Sequence, residues 1–184
     1  MIKLPARQYG LIFRLVEEQD ASFILSLRTD PKLAKHISPV SNELEAQKAW
    51  IRNYKEREAQ GFEYYFIYTD EQNGPLGLFR LYNIEGDTVT SGSWLAKGGQ
   101  DELNAFRADL FLTTVIFEQF KFHRCLIDVR KENKKLVRYH KMFFRVINED
   151  DLDIYMCMDA ADYQRKKIFL TSIIQPSTEQ HHEY

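Results

Sequence analysis

The chain has 184 residues, 44% hydrophobic and 28% charged, with a formal net charge of −2. These are ordinary values for a soluble globular protein with one sizeable core. Lys and Arg are scattered rather than clustered, which argues against a nucleic-acid footprint, and no stretch approaches the roughly twenty apolar residues of a membrane span. Thirteen Phe and ten Tyr point to a core or pocket rich in rings. The first residues, MIKLPARQYG, carry no apolar leader segment, so a cytoplasmic location is expected. Cys125 and Cys157 each sit inside an apolar run and read as buried thiols of a reducing compartment, not as a disulfide or a metal clip. No metal is expected.

In chain order, Gly10–Val16 (GLIFRLV) reads as a strand. Asp20 then caps a short helix with Phe23, Ile24 and Leu27 on its apolar face. Asp30-Pro31 opens a turn through Ile37. After Ser38-Pro39, Asn42 with Glu45 resembles a capping box, and the helix it starts carries Trp50, Ile51 and Tyr54 and stops at Gly61. The period then changes. Glu63–Thr69 (EYYFIYT) is aromatic and β-branched, hence a strand. Asn73-Gly74 is a hairpin signal, Leu76–Ile84 is the partner strand, and Glu85-Gly86-Asp87 turns the chain into a third strand, Thr88–Ala96. These strands form an antiparallel meander.

Past Gly98-Gly99, a helix from Glu102 to Phe120 is apolar nearly all round and should be largely buried. His123–Arg130 is a strand, Asn133–Met142 a helix, Leu152–Met158 a strand, and Tyr163–Ile174 a terminal helix. No repeat or linker interrupts the chain. Residues 1–174 are expected to form a single domain, and 175–184 a polar tail in which His181 and His182 are more simply solvated than metal-bound. The order predicts an α/β fold with an antiparallel N-terminal half.

Three stretches, GSWL at Gly92–Leu95, FEQFKFHRC at Phe117–Cys125 and DVRKEN at Asp128–Asn133, together with this element order resemble the GNAT (Gcn5-related) N-acetyltransferases, in particular their ribosomal-protein-acetylating-like branch. The resemblance runs from about Leu11 to Met158. It implies a mixed, splayed β-sheet flanked by helices, with acetyl-CoA as co-substrate in the gap where two parallel strands part, here Ser91–Ala96 and His123–Arg130. Unpaired backbone of the first strand, with Ser93, Trp94 and Leu95, would bond the pantetheine arm as an added strand does. The helix after it would face the pyrophosphate.

At that turn the family carries Gln or Arg, two variable residues, Gly, one variable residue, then Gly or Ala. Gln100 and Ala105 fit the pattern. Leu103 stands where the glycine belongs, next to Asp101, Glu102 and Asn104. Gly98-Gly99 offers an alternative cradle, and Arg107 a compensating charge. Asn133 is both a helix N-cap and, by resemblance, a contact to the pantetheine or diphosphate. The branch ends its next helix in Tyr or His, two variable residues, then Gly-Phe. In this sequence that stretch is His140-Lys141-Met142-Phe143-Phe144, with Phe143 in place of the glycine.

The chemistry implied is direct attack of a primary amine on the thioester in a ternary complex. A backbone N–H of Gly92–Leu95 would polarise the carbonyl. His140 or Tyr139 would protonate the departing sulfur, and an ordinary histidine titrates near neutrality. Against this, Leu136, Tyr139, His140 and Phe143 share one helical face, where a histidine is often a satisfied core residue. Glu63 and Asp128 are candidate bases, each more readily a paired or solvated carboxylate, and no base is assigned. Arg28, Tyr65 and Arg80, with Trp50, would line an acceptor pocket between the first helices and the meander. Together the two arginines suit a diphosphate, while either taken singly reads more readily as a surface partner of Asp or Glu.

The sequence also resembles a sub-branch that N-acetylates nucleotide-linked amino sugars. A small-molecule amine of that kind is therefore the first expectation for the acceptor. A protein N-terminus or a polyamine is the alternative, and so is a catalytically degenerate binding module, motivated by Leu103, Asp101 and Glu102. Homodimerisation is left open. There is no Gly-x-Ser-x-Gly elbow and no Walker loop.

Overall fold

A computed structural model describes residues 3–36 and 40–175. Strands β1 (Ala6–Gln8) and β2 (Leu11–Leu15) open the chain, followed by helices α1 (Ala21–Arg28) and α2 (Leu44–Ala59). The meander is β3 (Tyr64–Thr69), β4 (Pro75–Glu85) and β5 (Thr88–Ala96). Helix α3 (Leu103–Thr114) continues as a π-helical turn over Val115–Gln119. Then come β6 (Arg124–Arg130), α4 (Lys134–His140), β7 (Arg145–Glu149), β8 (Asp153–Asp159) and α5 (Ala160–Ile174). The eight strands make one sheet in the order β1-β2-β3-β4-β5-β6-β8-β7. Every neighbouring pair is antiparallel except β5 and β6, which run parallel.

Each face of the sheet has its own core. On one face Ile24, Leu27, Ile51 and Tyr54 of α1 and α2 pack on Tyr65, Ile67, Leu78 and Leu95. On the other, Ala108, Phe111, Leu112 and Val115 of the α3 segment meet Phe13, Phe66, Phe79, Ile127 and Val129. Side chains alternate along a strand, so Tyr65 and Ile67 serve the first core while Phe66 and Tyr68 serve the second. The abundance of rings is absorbed here. Phe111 stacks on Phe13 at 3.7 Å between ring centres and meets Phe66 edge-on at 6.1 Å.

The antiparallel first half and the mixed α/β order are as expected, and several local readings are corrected. Asp20 precedes α1 without capping it. Its carboxylate reaches backward, accepting from both Arg14 terminal nitrogens at 2.7 Å and from the Glu17 N–H at 2.8 Å. The Asn42/Glu45 box does not form, because α2 starts at Leu44 with Glu43 at its N-cap and Glu45 pairs with Lys48. Strand β1 was not foreseen. It folds back through Tyr9 and Gly10, both at positive φ, as a two-residue hairpin needs. Edge strand β7 was not foreseen either, since all five of its residues are exposed and bear no apolar alternation.

Asp30 behaves as expected, its carboxylate accepting from the Lys32 and Leu33 N–H groups. Both cysteines are free and buried. Ile37, Ser38-Pro39 and the tail histidines His181 and His182 lie outside the described residues. Among the described residues no helix is long and apolar enough to cross a membrane.

Candidate active site

Strands β5 and β6 pair only at Thr88↔Arg124, Val89↔Cys125 and Thr90↔Leu126. Beyond Leu126, β6 continues against β8 through Arg130↔Asp153, and β5 continues against β4 through Ala96↔Gly77. Among the described residues the gap-facing edge of Ser91–Ala96 therefore has no strand partner. A bulge lies at this point. Arg80 pairs with Gly92 but Leu78 with Leu95, and Ser93 sits at φ 52. Such a bulge bends the strand and re-aims its amides, here beside the opening. Gly92 has a second reason to be glycine: a Cβ there would lie 2.8 Å from the Tyr82 hydroxyl.

The gap opens into a cavity of about 950 Å³ that reaches from α1 and α2 through the sheet to α3, α4 and α5. Of the residues expected around the donor, Ser93, Trp94, Ala105 and Asn133 line it. Leu95, Gln100, Leu103 and Asn104 are placed elsewhere. Leu95 is buried in the α1/α2 core. Gln100 ties its turn to β4, donating from Nε2 to the Leu76 and Lys97 carbonyls.

At the start of α3, the Asp101 carboxylate accepts from the Leu103 N–H and from Arg107, and Arg107 also donates to the Asn104 side chain. Arg107 is thus engaged within its own turn. The helix start is partly satisfied internally, because the Asn104 N–H also goes to the Asp101 carbonyl. Across the gap, Asn133 caps α4 by accepting from the Leu136 N–H, and Lys135 lines the cavity.

On the α1/α2 side the cavity wall holds Arg28, Trp50, Tyr65, Arg80, Tyr82 and Asp128. The Arg80 guanidinium is sandwiched between the rings of Trp50 at 5.3 Å and Tyr82 at 5.1 Å. Glu63, buried behind it, accepts from both Arg80 and Arg57, so it is a structural carboxylate rather than a free base. Arg28 lies against the Tyr65 hydroxyl. Asp128 sits on the splayed part of β6, exposed, with the Tyr82 hydroxyl 3.4 Å away. Burial and that carboxylate push the Tyr82 phenol up to about 12.

On the opposite face lies a buried polar group. The Tyr139 hydroxyl donates to one Asp109 carboxylate oxygen, and Lys166 Nζ donates to the other at 2.8 Å. Burial, with Asp109 next, raises the Tyr139 phenol far above its ordinary value. Tyr139 is committed to Asp109 and is no ready acid. His140 also lines the cavity, its ring 5.3 Å from Phe144. Burial, reinforced by the Lys166 charge, lowers its imidazole to about 4. This corrects the expectation of titration near neutrality: at neutral pH His140 is uncharged, able to accept a proton but holding none to spare. Cys125 also lines the cavity, and burial pushes its thiol up to about 12, so it is a poor nucleophile.

Asp109 and Lys166 were not foreseen, although their signals were present: one carboxylate inside an apolar α3 and one lysine between Tyr163 and Leu170 on the buried face of α5. Among the described residues no group of three or more His, Cys, Asp or Glu is placed to hold a metal.

Known proteins share this fold. A family model described as the acetyltransferase (GNAT) domain matches residues 10–143. Among solved structures, apo FdhC, described as a nucleotide-linked sugar GNAT, is 33% identical with a TM-score of 0.83, covering 94% of this chain and 99% of its own. A spermidine N-acetyltransferase from Vibrio cholerae, solved with CoA and spermine, is 20% identical with a TM-score of 0.71 over 85% of this chain and 99% of its own. A ribosomal-protein-S5-alanine acetyltransferase from Vibrio fischeri is 17% identical with a TM-score of 0.72 over 88% and 99%. No curated protein matches in sequence. With more than half its length matched by the domain model and its parallel strands parted at the expected place, the chain belongs to the GNAT acetyltransferase family.

Proposed function

We propose that the protein transfers an acetyl group from acetyl-CoA to the primary amine of a nucleotide-linked amino sugar. The observation that carries this reading is the parting of β5 and β6 beyond Thr90 and Leu126, opening one cavity to both faces of the sheet. The donor's amide-rich arm has an unpaired strand edge to lie along, and a bulge amide near Ser93 is available to the thioester oxygen. Trp94, Ala105, Asn133 and Lys135 are the side chains that would hold the rest of it. The acceptor enters from the α1/α2 side.

On that wall the nearest buried carboxylate, Glu63, is spent on two arginines, so the surface suits an anionic or aromatic acceptor better than a polycation. Arg28, Tyr65 and Arg80 are assigned to it, and the likeness to FdhC supports the same choice. Asp128 receives the incoming ammonium, which loses one proton to solvent to become the neutral amine. In transfer, the amine nitrogen attacks the thioester carbon while its second proton passes to the uncharged His140. The carbon–sulfur bond breaks, and His140 returns that proton to sulfur, so the imidazole ends the cycle as it began.

The test is thiol release from acetyl-CoA with three acceptors: a nucleoside-diphosphate amino sugar, spermine and an N-terminal peptide. The sugar nucleotide is expected to exceed the others in kcat/KM by on the order of 100-fold. Preference for spermine or peptide would replace the acceptor assignment. No release with any amine, and no binding of acetyl-CoA, would leave a binding module. Within this reading, Asp128→Asn is expected to raise KM for the amine about tenfold, the loss of one charge-assisted hydrogen bond, with KM for acetyl-CoA unchanged. An equal rise in both would place Asp128 outside the acceptor subsite.

A further inference from the structure

Lys166 is 1% exposed, on a helix that begins well past the span matched by the family model. A buried lysine is tolerated only with a partner, and this one has several. Its ammonium donates to Asp109 Oδ1 at 2.8 Å and stands 5.4, 5.7 and 5.3 Å from the ring centres of Tyr139, Phe143 and Phe144. Tyr139 closes the group from α4 through its bond to Asp109 Oδ2. Of these residues Tyr139 and Phe144 flank the His140 ring, each at 5.3 Å, and His140 Nδ1 is buried with no hydrogen-bond partner among the described residues. The titratable groups that act on it or lie against it are Asp109 on α3, Tyr139 on α4 and Lys166 on α5, and Cys125 on β6 lines the same cavity. Lys166 and Asp109 act on its charge with opposite sign, Lys166 more strongly.

We propose that Lys166 is a positioning residue of the transfer site: pinned to Asp109 and packed on the rings of Tyr139 and Phe144 that flank His140, it sets a fixed positive charge at the relay, so that a proton taken up by the imidazole passes on to the departing sulfur. This rests on His140 being the proton relay. The arrangement has a purpose, since a fixed positive charge destabilises the imidazolium and sends its proton on to sulfur. The Asp109 carboxylate paired with the cation keeps it tolerable in the interior.

The test is the NMR titration of the His140 imidazole, run beside the pH dependence of kcat/KM. Lys166→Met removes the cation and leaves Asp109 unpaired, which risks the fold. The double variant Asp109→Asn with Lys166→Met removes the whole pair and is the safer protein. Lys166→Arg keeps a permanent cation. The His140 midpoint is expected to rise by about one pH unit in the double variant and further in Lys166→Met, and to stay at the wild-type position in Lys166→Arg.

The acidic limb of kcat/KM is expected to move with it, so that, relative to wild type at the same pH, kcat/KM at pH 5 falls about twofold in the double variant, further in Lys166→Met, and not in Lys166→Arg. An unmoved midpoint in the double variant overturns the proposal, whatever happens to thermal stability. A midpoint that moves while the activity profile does not also overturns it, by separating His140 from transfer. The titration needs no acceptor, so a wrong substrate class leaves its outcome untouched.

Discussion

His140→Ala is expected to lower kcat by about 10²–10⁴-fold, the usual contribution of a positioned acid–base group, with acetyl-CoA affinity changed by less than about threefold. The binding surface for the donor is the strand edge and the α3 and α4 starts, none of which depends on the imidazole. Tyr139→Phe is the control. Its hydroxyl is bound to Asp109 and shifted far from useful acidity, so the variant keeps most of the turnover. Single-turnover thiol release with donor affinity measured separately checks both. Turnover unchanged in His140→Ala would make the residue one of packing.

The pH dependence follows from the same burial. The imidazole is lowered from 6.5 to about 4, so the folded protein binds fewer protons than the unfolded chain between those values. Stability is then lost as pH falls from about 6.5 towards 4, by about 3 kcal/mol in total, and none of this loss occurs above 6.5. In His140→Ala this share of the acid destabilisation disappears. Denaturant unfolding at pH 7 and pH 4.5 measures it.

The parts of the molecule legible in the sequence are those where local chemistry and the tertiary solution agree. Glu63–Thr69 is aromatic and sits centrally in the sheet, and Asn73-Gly74 turns where a left-handed residue is needed, with Asn73 at φ 65. Asn133 caps α4 as an asparagine should. The misses have a common origin in ion-pair partners that lie on neighbouring elements. Asp20 looked like a helix cap, but Arg14 on the neighbouring strand competes for the same carboxylate and makes two charge-assisted bonds. Glu63 looked like a base until Arg57 and Arg80 closed on it.

Leu95 shows the limit of reading a strand as a ligand contact. The bulge at Ser93 returns Leu95 to the α1/α2 core and leaves Ser93 and Trp94 at the cavity. Nor does a histidine's residue type reveal its charge state. Burial and a lysine 26 positions later in the chain lower the His140 imidazole, and only the fold places them around the ring.

Phe143→Gly, which restores the residue the family pattern puts at this position, is expected to destabilise the protein by about 3–5 kcal/mol, the cost of emptying a buried aromatic site. Helix α4 needs no glycine to end. The Met142, Phe143 and Phe144 N–H groups fold back onto the Tyr139 and His140 carbonyls at 2.8–3.1 Å, and Phe143 is not at positive φ. The chain closes with two buried rings instead. Phe143 is 5% exposed, meets Tyr139 at 5.9 Å and Phe169 of α5 at 5.3 Å, and carries the Lys166 ammonium on its face.

Glycine at this point would open a void between α4 and α5, free the α4 end to fray, and expose the Lys166–Asp109 pair to water. The melting temperature should fall by on the order of 10 °C, while Phe143→Leu, which keeps most of the volume, should lose far less. Turnover measured well below the melting temperature should fall too, because His140 hangs from the same turn. A Phe143→Gly protein as stable as the wild type would mean that the α4 end is held by its backbone bonds alone and that α5 does not brace the site.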